Sequence, residues 1–433
     1  MADLTDVQSA ETVKIAGASS SGVESTFANV DARGNLQIAS VFQDSANLDA
    51  FGRLRASNPE SIFETTFQYD AQPLLFSSAV ATGGTVTHNA NLVSVELNTT
   101  TSSGSSVVFQ SKQYFRYHPG KSQIILITGN MGGAKANCRR RLGQFDANDG
   151  FFFELDSDMR VCIRSATSGS PVDTKIARAS WNIDKLDGTG VSGVSLDFSL
   201  QQLFFIDYQW LGSGRIRFAF VVGGKVHYCH EINNANTLST AYSRTATLPI
   251  RAESTNTGVT TATTFRVACM AVVSEGGFTH RGIVRRTSNG TTAKTVGGTG
   301  TLVPVLSLRK KTAQVNVPIK IEELQLLMST NDDGEMVVLI NPTLTGASWT
   351  DLTGAAQRDV ASTALSGGTE VYGSYVRGAG SSPSTTDISS FLETANLILG
   401  SDLAGTSDIV TIALRNITTA STAFASLVYR EVL

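Results

Sequence analysis

Along residues 201–233 the chain reads QQLFFIDYQWLGSGRIRFAFVVGGKVHYCHEIN, and polarity alternates through three consecutive runs. Ile206, Tyr208 and Trp210 alternate with Asp207 and Gln209. After a Gly212-Ser213-Gly214 break, Ile216, Phe218, Phe220 and Val222 alternate with Arg215, Arg217 and Ala219. Gly223-Gly224 supplies the two residues of a tight hairpin, because glycine enters positive φ without a Cβ clash. Val226 and Tyr228 resume the apolar face on the return strand. A period of two with one wet face predicts an antiparallel sheet packed on one side.

The same grammar recurs. Residues 93–97 and 106–110 alternate, Pro119-Gly120 marks a turn before a buried strand over 123–128, and residues 146–150 turn into FFFELDS and MRVCIRS. Turn signals at roughly eight- to twelve-residue spacing predict an all-β fold of sandwich or jelly-roll type. Helical periodicity is nearly absent, with residues 389–397 a candidate short helix capped by a serine. The organisation expected is an extended N-terminal arm over residues 1–58, a central β-sandwich over 59–285, a Gly/Thr/Ser linker over 286–300 and a C-terminal β-sandwich over 301–433. The arm holds short alternating pieces, among them Val13, Ile15, Leu36 and Ile38, too few for a core of their own. Such a segment typically lies on a neighbouring surface or adds a strand to another sheet.

Composition narrows the function. The chain has 433 residues, a net charge of -3 and only 16% charged residues, so Ser, Thr, Gly and Asn fill its surface. That balance argues against holding nucleic acid by its phosphates, which needs a basic stripe. The short Arg139-Arg140-Arg141 cluster reads as a solvated turn or an intersubunit salt-bridge partner. No stretch approaches the length of a membrane span, and no signal peptide is visible. Cys138, Cys162, Cys229 and Cys269 lack paired spacing, which fits folding in a reducing compartment better than a disulfide framework.

Candidate chemistry is mostly rejected on context. Gly120-Lys121-Ser122 matches the tail of a phosphate-binding loop, but the glycine required five residues earlier is Phe115 and a strand follows where a helix is needed. His227, Cys229 and His230 are spaced suggestively for a metal, yet alternation divides them between two faces. Asp146, Asn148 and Gly150 begin like a calcium loop whose twelfth residue is Ser157 instead of glutamate, so an Asx turn is the default. Asp184 and Asp187 share a Gly-bounded loop with Trp181. A loop carboxylate beside an aromatic face could contact a glycan, against the plainer reading of Trp181 as a core residue. No catalytic arrangement emerges, and no cofactor is expected.

Two passages carry a family resemblance. Residues 49–76, DAFGRLRASNPESIFETTFQYDAQPLLF, resemble the D-A-F-G-R-L-R-x-S-x-P signature of structural proteins of tailed bacteriophages. FRYHPGKSQIILITGN, NDGFFFELD, WNIDKLDG, FFIDYQWLGSGRIRFAFVVGGKVHYCHEINNAN and VVSEGG follow in the order found there, and VKIAGASSSGVESTFANVDARGNLQI is similar to an N-terminal repeat of virion and tail-appendage proteins. The resemblance implies a virion structural protein assembled in the host cytoplasm, of tail, baseplate or fibre type, with a capsid or neck decoration protein and a receptor- or glycan-binding module as alternatives. It implies partners among other virion proteins and copies of itself, with a homotrimer expected from the symmetry of such appendages. The attachment residues expected are Val13, Ile15, Leu36, Ile38, Phe51, Arg53 and Arg55. Nucleic acid and membrane insertion are not expected.

Overall fold

The computed structural model describes residues 29–30, 36–37, 47–329, 333–379, 382–383 and 397–432. The chain divides into two compact units, Met1–Leu48 and Asp49–Leu433. In the first, β1 (Asn29–Val30) and β2 (Leu36–Gln37) pair antiparallel, with Val30 opposite Leu36. Val13, Ile15 and Ile38 lie outside the described residues, as do 389–396 of the candidate helix. Among the described residues there is no α-helix, and so no helix long and apolar enough to cross a membrane.

Asp49–Leu433 is built as two β-sandwiches. The strands of the first are β3 (Pro59–Thr66), β4 (Phe76–Ala81), β5 (Thr85–Asn89), β6 (Ser94–Thr99), β7 (Ser106–Ser111), β8 (Ser122–Asn130), β9 (Cys138–Phe145), β10 (Gly150–Leu155), β11 (Met159–Ser165), β12 (Val172–Ala177), β13 (Gln202–Tyr208), β14 (Arg215–Val222), β15 (Lys225–Asn233), β16 (Ile250–Asn256) and β17 (Thr263–Glu275). One sheet runs β15-β14-β13-β8-β17-β6-β5, with β3 along β17; the facing sheet runs β12-β11-β10-β9-β16-β7-β4. Alternation sends Phe204 and Ile206 of β13 and Phe218 and Phe220 of β14 inward against Leu142, Phe151 and Phe153 of the other sheet. Phe153 meets Phe204 and Phe218 at 5.2 and 5.3 Å between ring centroids, tilted and edge-on, the arrangement the ring quadrupole favours.

The Gly223-Gly224 hairpin forms as read, with φ of 58° and 76° and Val222 opposite Lys225. Farther along, the register of β14 and β15 shifts after Phe218, so that Ala219 faces Tyr228 while Phe218 faces His230. This bulge sends Cys229 into the core and takes Tyr228 off the apolar face where simple alternation put it.

The second sandwich comprises β18 (Ile283–Ser288), β19 (Lys294–Val296), β20 (Leu302–Lys310), β21 (Ile319–Met328), β22 (Asp333–Ile340), β23 (Thr343–Thr345), β24 (Thr350–Asp351), β25 (Ala356–Asp359), β26 (Ala364–Ser366), β27 (Thr369–Ala379), β28 (Ser382–Pro383), β29 (Ile398–Leu399), β30 (Ile409–Asn416) and β31 (Ser421–Glu431). Its sheets run β18-β31-β21-β29, with β19 also on β31, and β24-β25-β20-β30-β22-β27-β28. Residues 286–300, expected as a linker with nothing to bury, instead supply the end of β18 and all of β19, and Val296 is fully buried. Composition misled here because edge strands of Thr and Lys need only one apolar anchor when a long partner strand provides the hydrogen bonds.

The two sandwiches touch through a few bonds. Ser401 donates its N–H to the Lys112 carbonyl at 2.9 Å, Leu403 donates to Ser77 Oγ at 3.2 Å, and Lys112 Nζ lies 3.5 Å from Asp408. Gly400 permits this approach, since a Cβ there would sit 2.5 Å from Lys112 Cβ.

Candidate functional site

Residues 49–55 fold into a bracket on the outer face of the eight-stranded sheet. Asp49 Oδ1 accepts the N–H groups of Phe51 and Arg53, both at 2.9 Å, and Oδ2 accepts from Arg53 Nε at 2.8 Å. The Ala50 carbonyl accepts from Gln209 Nε2 and Arg215 Nε, each at 3.1 Å. Arg55 then reaches Asp207 at 2.5 Å and pairs with Glu275 at 2.9 Å, its Nε–H not aligned for a hydrogen bond to that oxygen. Asp207 also accepts from Arg217 (2.8 and 2.5 Å) and from the Tyr228 hydroxyl (2.7 Å). The Arg217 guanidinium lies 4.3 Å over the Tyr228 ring. Asp207 and Arg217 are fully buried, although sequence alternation put them on the wet face. Residues 49–55 cover that face, and burial pushes the Glu275 carboxyl up against the pull of Arg55.

This geometry revises the expected attachment set. Arg55 is consumed inside the molecule, and Arg53 pairs with Asp49. The bracket belongs to the compact unit that begins at Asp49, so the arm boundary falls at 48/49 instead of 58. The crest stays at the surface, with Phe51 half-buried and Leu54 54% exposed. The legible signal for the hidden partners was charge inside otherwise apolar strands. Asp207 and Arg217 face each other in register across β13 and β14.

In the loop expected to touch glycan, Trp181 and Asp184 are turned inward. Trp181 is buried and its ring lies 6.3 Å from Phe220. Asp184 Oδ1 accepts from the Leu186 N–H and Oδ2 from the Ser192 N–H, both at 2.8 Å, and these bonds hold its carboxyl below the usual range against the effect of burial. Asp187 is exposed and bonded to Thr189 within its own turn. The three residues shape a loop and form no common platform. The Asp146 turn is an Asx turn, its Oδ1 accepting from Asn148 and Asp149 at 2.7 and 2.9 Å. Among the described residues no group of three or more His, Cys, Asp or Glu could hold a metal.

Arg139, Arg140 and Arg141 stand on strand β9, not in a turn. Arg140 is buried and donates to the Met131 carbonyl. Arg141 is enclosed by Glu154, Asp173 and Glu253 at 2.7, 2.8 and 3.1 Å. Arg164 pairs with Asp173 and Arg251 with Glu253, each at 2.7 Å. This charge lattice lies on the outer face of the seven-stranded sheet, over Phe145 and Phe152. A cleft of about 400 Å³ opens above it, lined in part by Arg139, Arg141, Arg164, Asp173, Arg251 and Glu253. The Arg139 guanidinium makes no hydrogen bond or ion pair to any described residue, and its Nε is shut off from solvent. Burial and Arg141 lower its pKa from the usual value. On the eight-stranded sheet, an apolar hollow of about 470 Å³ is lined by Leu126, Leu203, Cys269, Met270 and neighbours.

No protein-family model and no curated protein matches the chain. Solved structures similar to it include a glycosyl hydrolase family protein from Mycobacterium fortuitum, 10% identical, covering 49% of this chain and 99% of its own at a TM-score of 0.34. Another is the Emp47p carbohydrate recognition domain, 12% identical, covering 51% of this chain and 99% of its own at 0.31. A third is a legume lectin-like domain from Entamoeba histolytica, 11% identical, covering 45% and 89% at 0.27. Likeness at this level assigns no residue a role.

Proposed function

We propose that this chain is a structural component of a tailed-bacteriophage particle, of tail, baseplate or fibre type, assembling with copies of itself and docking through Met1–Leu48. The observation that carries this reading is the bracket at residues 49–55. The stretch that resembles the virion-protein signature is spent on a buried ion network at the start of the rigid sandwich, with Leu54 at the exposed crest. A building block needs such a joint, because a docking arm transmits position only if its root does not yield. The apolar hollow beside Leu126 and Leu203 offers the same sheet a further contact surface.

The test is incorporation. A chain lacking Met1–Leu48 is expected to fold with an unchanged melting temperature and to be absent from particles grown on a host that supplies only the truncated form. Incorporation at wild-type levels overturns the reading.

The Arg139 cleft favours a second reading, a saccharide-binding module for acidic glycans. A guanidinium fork with free donors matches a sugar carboxylate, and the surrounding paired charges offer acceptors to hydroxyls. On a glycan array, Arg139→Ala is expected to remove binding to uronic-acid oligosaccharides. No glycan signal from the intact chain excludes this role.

A further inference from the structure

The turn carrying Gly120-Lys121-Ser122 packs against residues 276–281, the connection from β17 to β18. Arg116 donates to the Arg281 carbonyl and Lys121 to the Gly277 carbonyl, each at 2.5 Å. His118 lies flat on Phe278, with centroids 4.3 Å apart and planes 9° from parallel. Between turn and connection is a cavity of about 320 Å³, lined by Arg116, His118, Pro119, Lys121, Thr279 and Arg281.

Its charge is unlike that of the bracket or the β9 lattice, where every buried arginine named above except Arg139 and Arg140 meets a carboxylate. Three permanent cations line this cavity and no carboxylate does. The Arg281 guanidinium has no hydrogen bond or ion pair to any described residue, and His118 Nε2 is shut off from solvent without a partner. The nearby acids do not line the cavity, although Glu60 and the Lys121 ammonium both lie close to Gly277. Glu60 of β3 accepts the Phe278 N–H at 2.5 Å, and Glu322 of β21, close to His280, pairs with Arg430 at 2.7 Å. Gathering like charges in a partly desolvated space is unfavourable unless a counter-charge joins them.

We propose that this cavity binds a small oxyanion, a phosphate- or carboxylate-bearing solute, gripped by Arg116, Lys121 and Arg281 with His118 in the wall beside them. Guanidinium groups offer paired N–H donors to an oxyanion, and lysine adds a point charge. The ligand would bridge the turn of the first sandwich to the connection that leads into the second, stiffening the joint between them. Burial and the charges of Arg116, Lys121 and Arg281 hold His118 below its usual pKa, against the Thr279 carbonyl. An anion held beside the ring favours the imidazolium over the neutral form. Binding should therefore tighten as pH falls and should raise the His118 pKa.

The experiment titrates the full chain with sulfate and, separately, with oxalate, both of fixed charge near neutrality, by calorimetry at pH 6 and pH 8 with chloride holding ionic strength. Histidine NMR follows the ring of His118. Expected are saturable binding in the millimolar range or tighter, at least about tenfold weaker in Arg281→Ala, weaker at pH 8, and a downfield-titrating His118 whose midpoint moves up with anion. Preference for sulfate indicates a phosphate-type ligand, and preference for oxalate a carboxylate. Because Arg281 is exposed, Arg281→Ala should keep the wild-type melting temperature. No saturable binding of either anion, or equal binding by the variant, overturns the proposal.

Discussion

Lys310 ends strand β20 with 2% of its surface exposed, its ammonium donating to the Val315 carbonyl at 2.6 Å. Burial lowers its pKa to about 7, against the attraction of Asp408. An unfolded lysine titrates near 10.5, so between about pH 7 and 10.5 the unfolded chain binds a proton that the folded one does not. Stability from this group therefore rises with pH through that window, and below pH 7 the fold carries the full cost of a buried charge. Lys310→Met is expected to stabilise the protein at pH 6 by a few kcal/mol more than at pH 9.5, measured by urea unfolding. Equal gains at both pH values would mean that Lys310 titrates normally. Nothing in LVPVLSLRK marks that lysine as buried, because the run reads as a strand leaving the core at its charged end. By contrast Gly223-Gly224 and the Asp146 turn were legible, since their chemistry is local and needs no partner from elsewhere in the chain.

At the level of elements, alternation identified strands well and said less about what lies over each face. The polar side of β13 and β14 was read as wet because Asp207 and Arg217 occupy it. They are dry because a segment some 150 positions earlier folds over them, with Arg55 and Asp207 separated by 152 positions in sequence. The bulge at Cys229 is hidden for a similar reason, as it depends on β14 and β15 disagreeing in register. The bracket makes a prediction of its own. Starting the chain at residue 57 removes Arg55 and leaves Glu275 and Asp207 with fewer counter-charges under newly exposed sheet. That form is expected to lose about 3 kcal/mol relative to one starting at residue 49. Coincident denaturation curves for the two would show that the bracket contributes nothing to folding.

For the molecule as a whole, the all-β class and the pair of sandwiches followed from turn spacing and strand pattern. The division between the sandwiches did not, because β18 and β19 look like linker in composition and become strands only beside β31. That pairing has a consequence for biosynthesis. β31 lies between β21 on one side and β18 and β19 on the other, so residues near position 283 wait for partners more than 130 positions downstream. The first sandwich closes once β17 has emerged from the ribosome, whereas the second stays an open set of unpaired edges until translation passes Ser421. Nascent chains of this protein therefore pass through a stage with one finished sandwich and one unfinished sheet, at which neighbouring copies are prone to pair with the wrong strand.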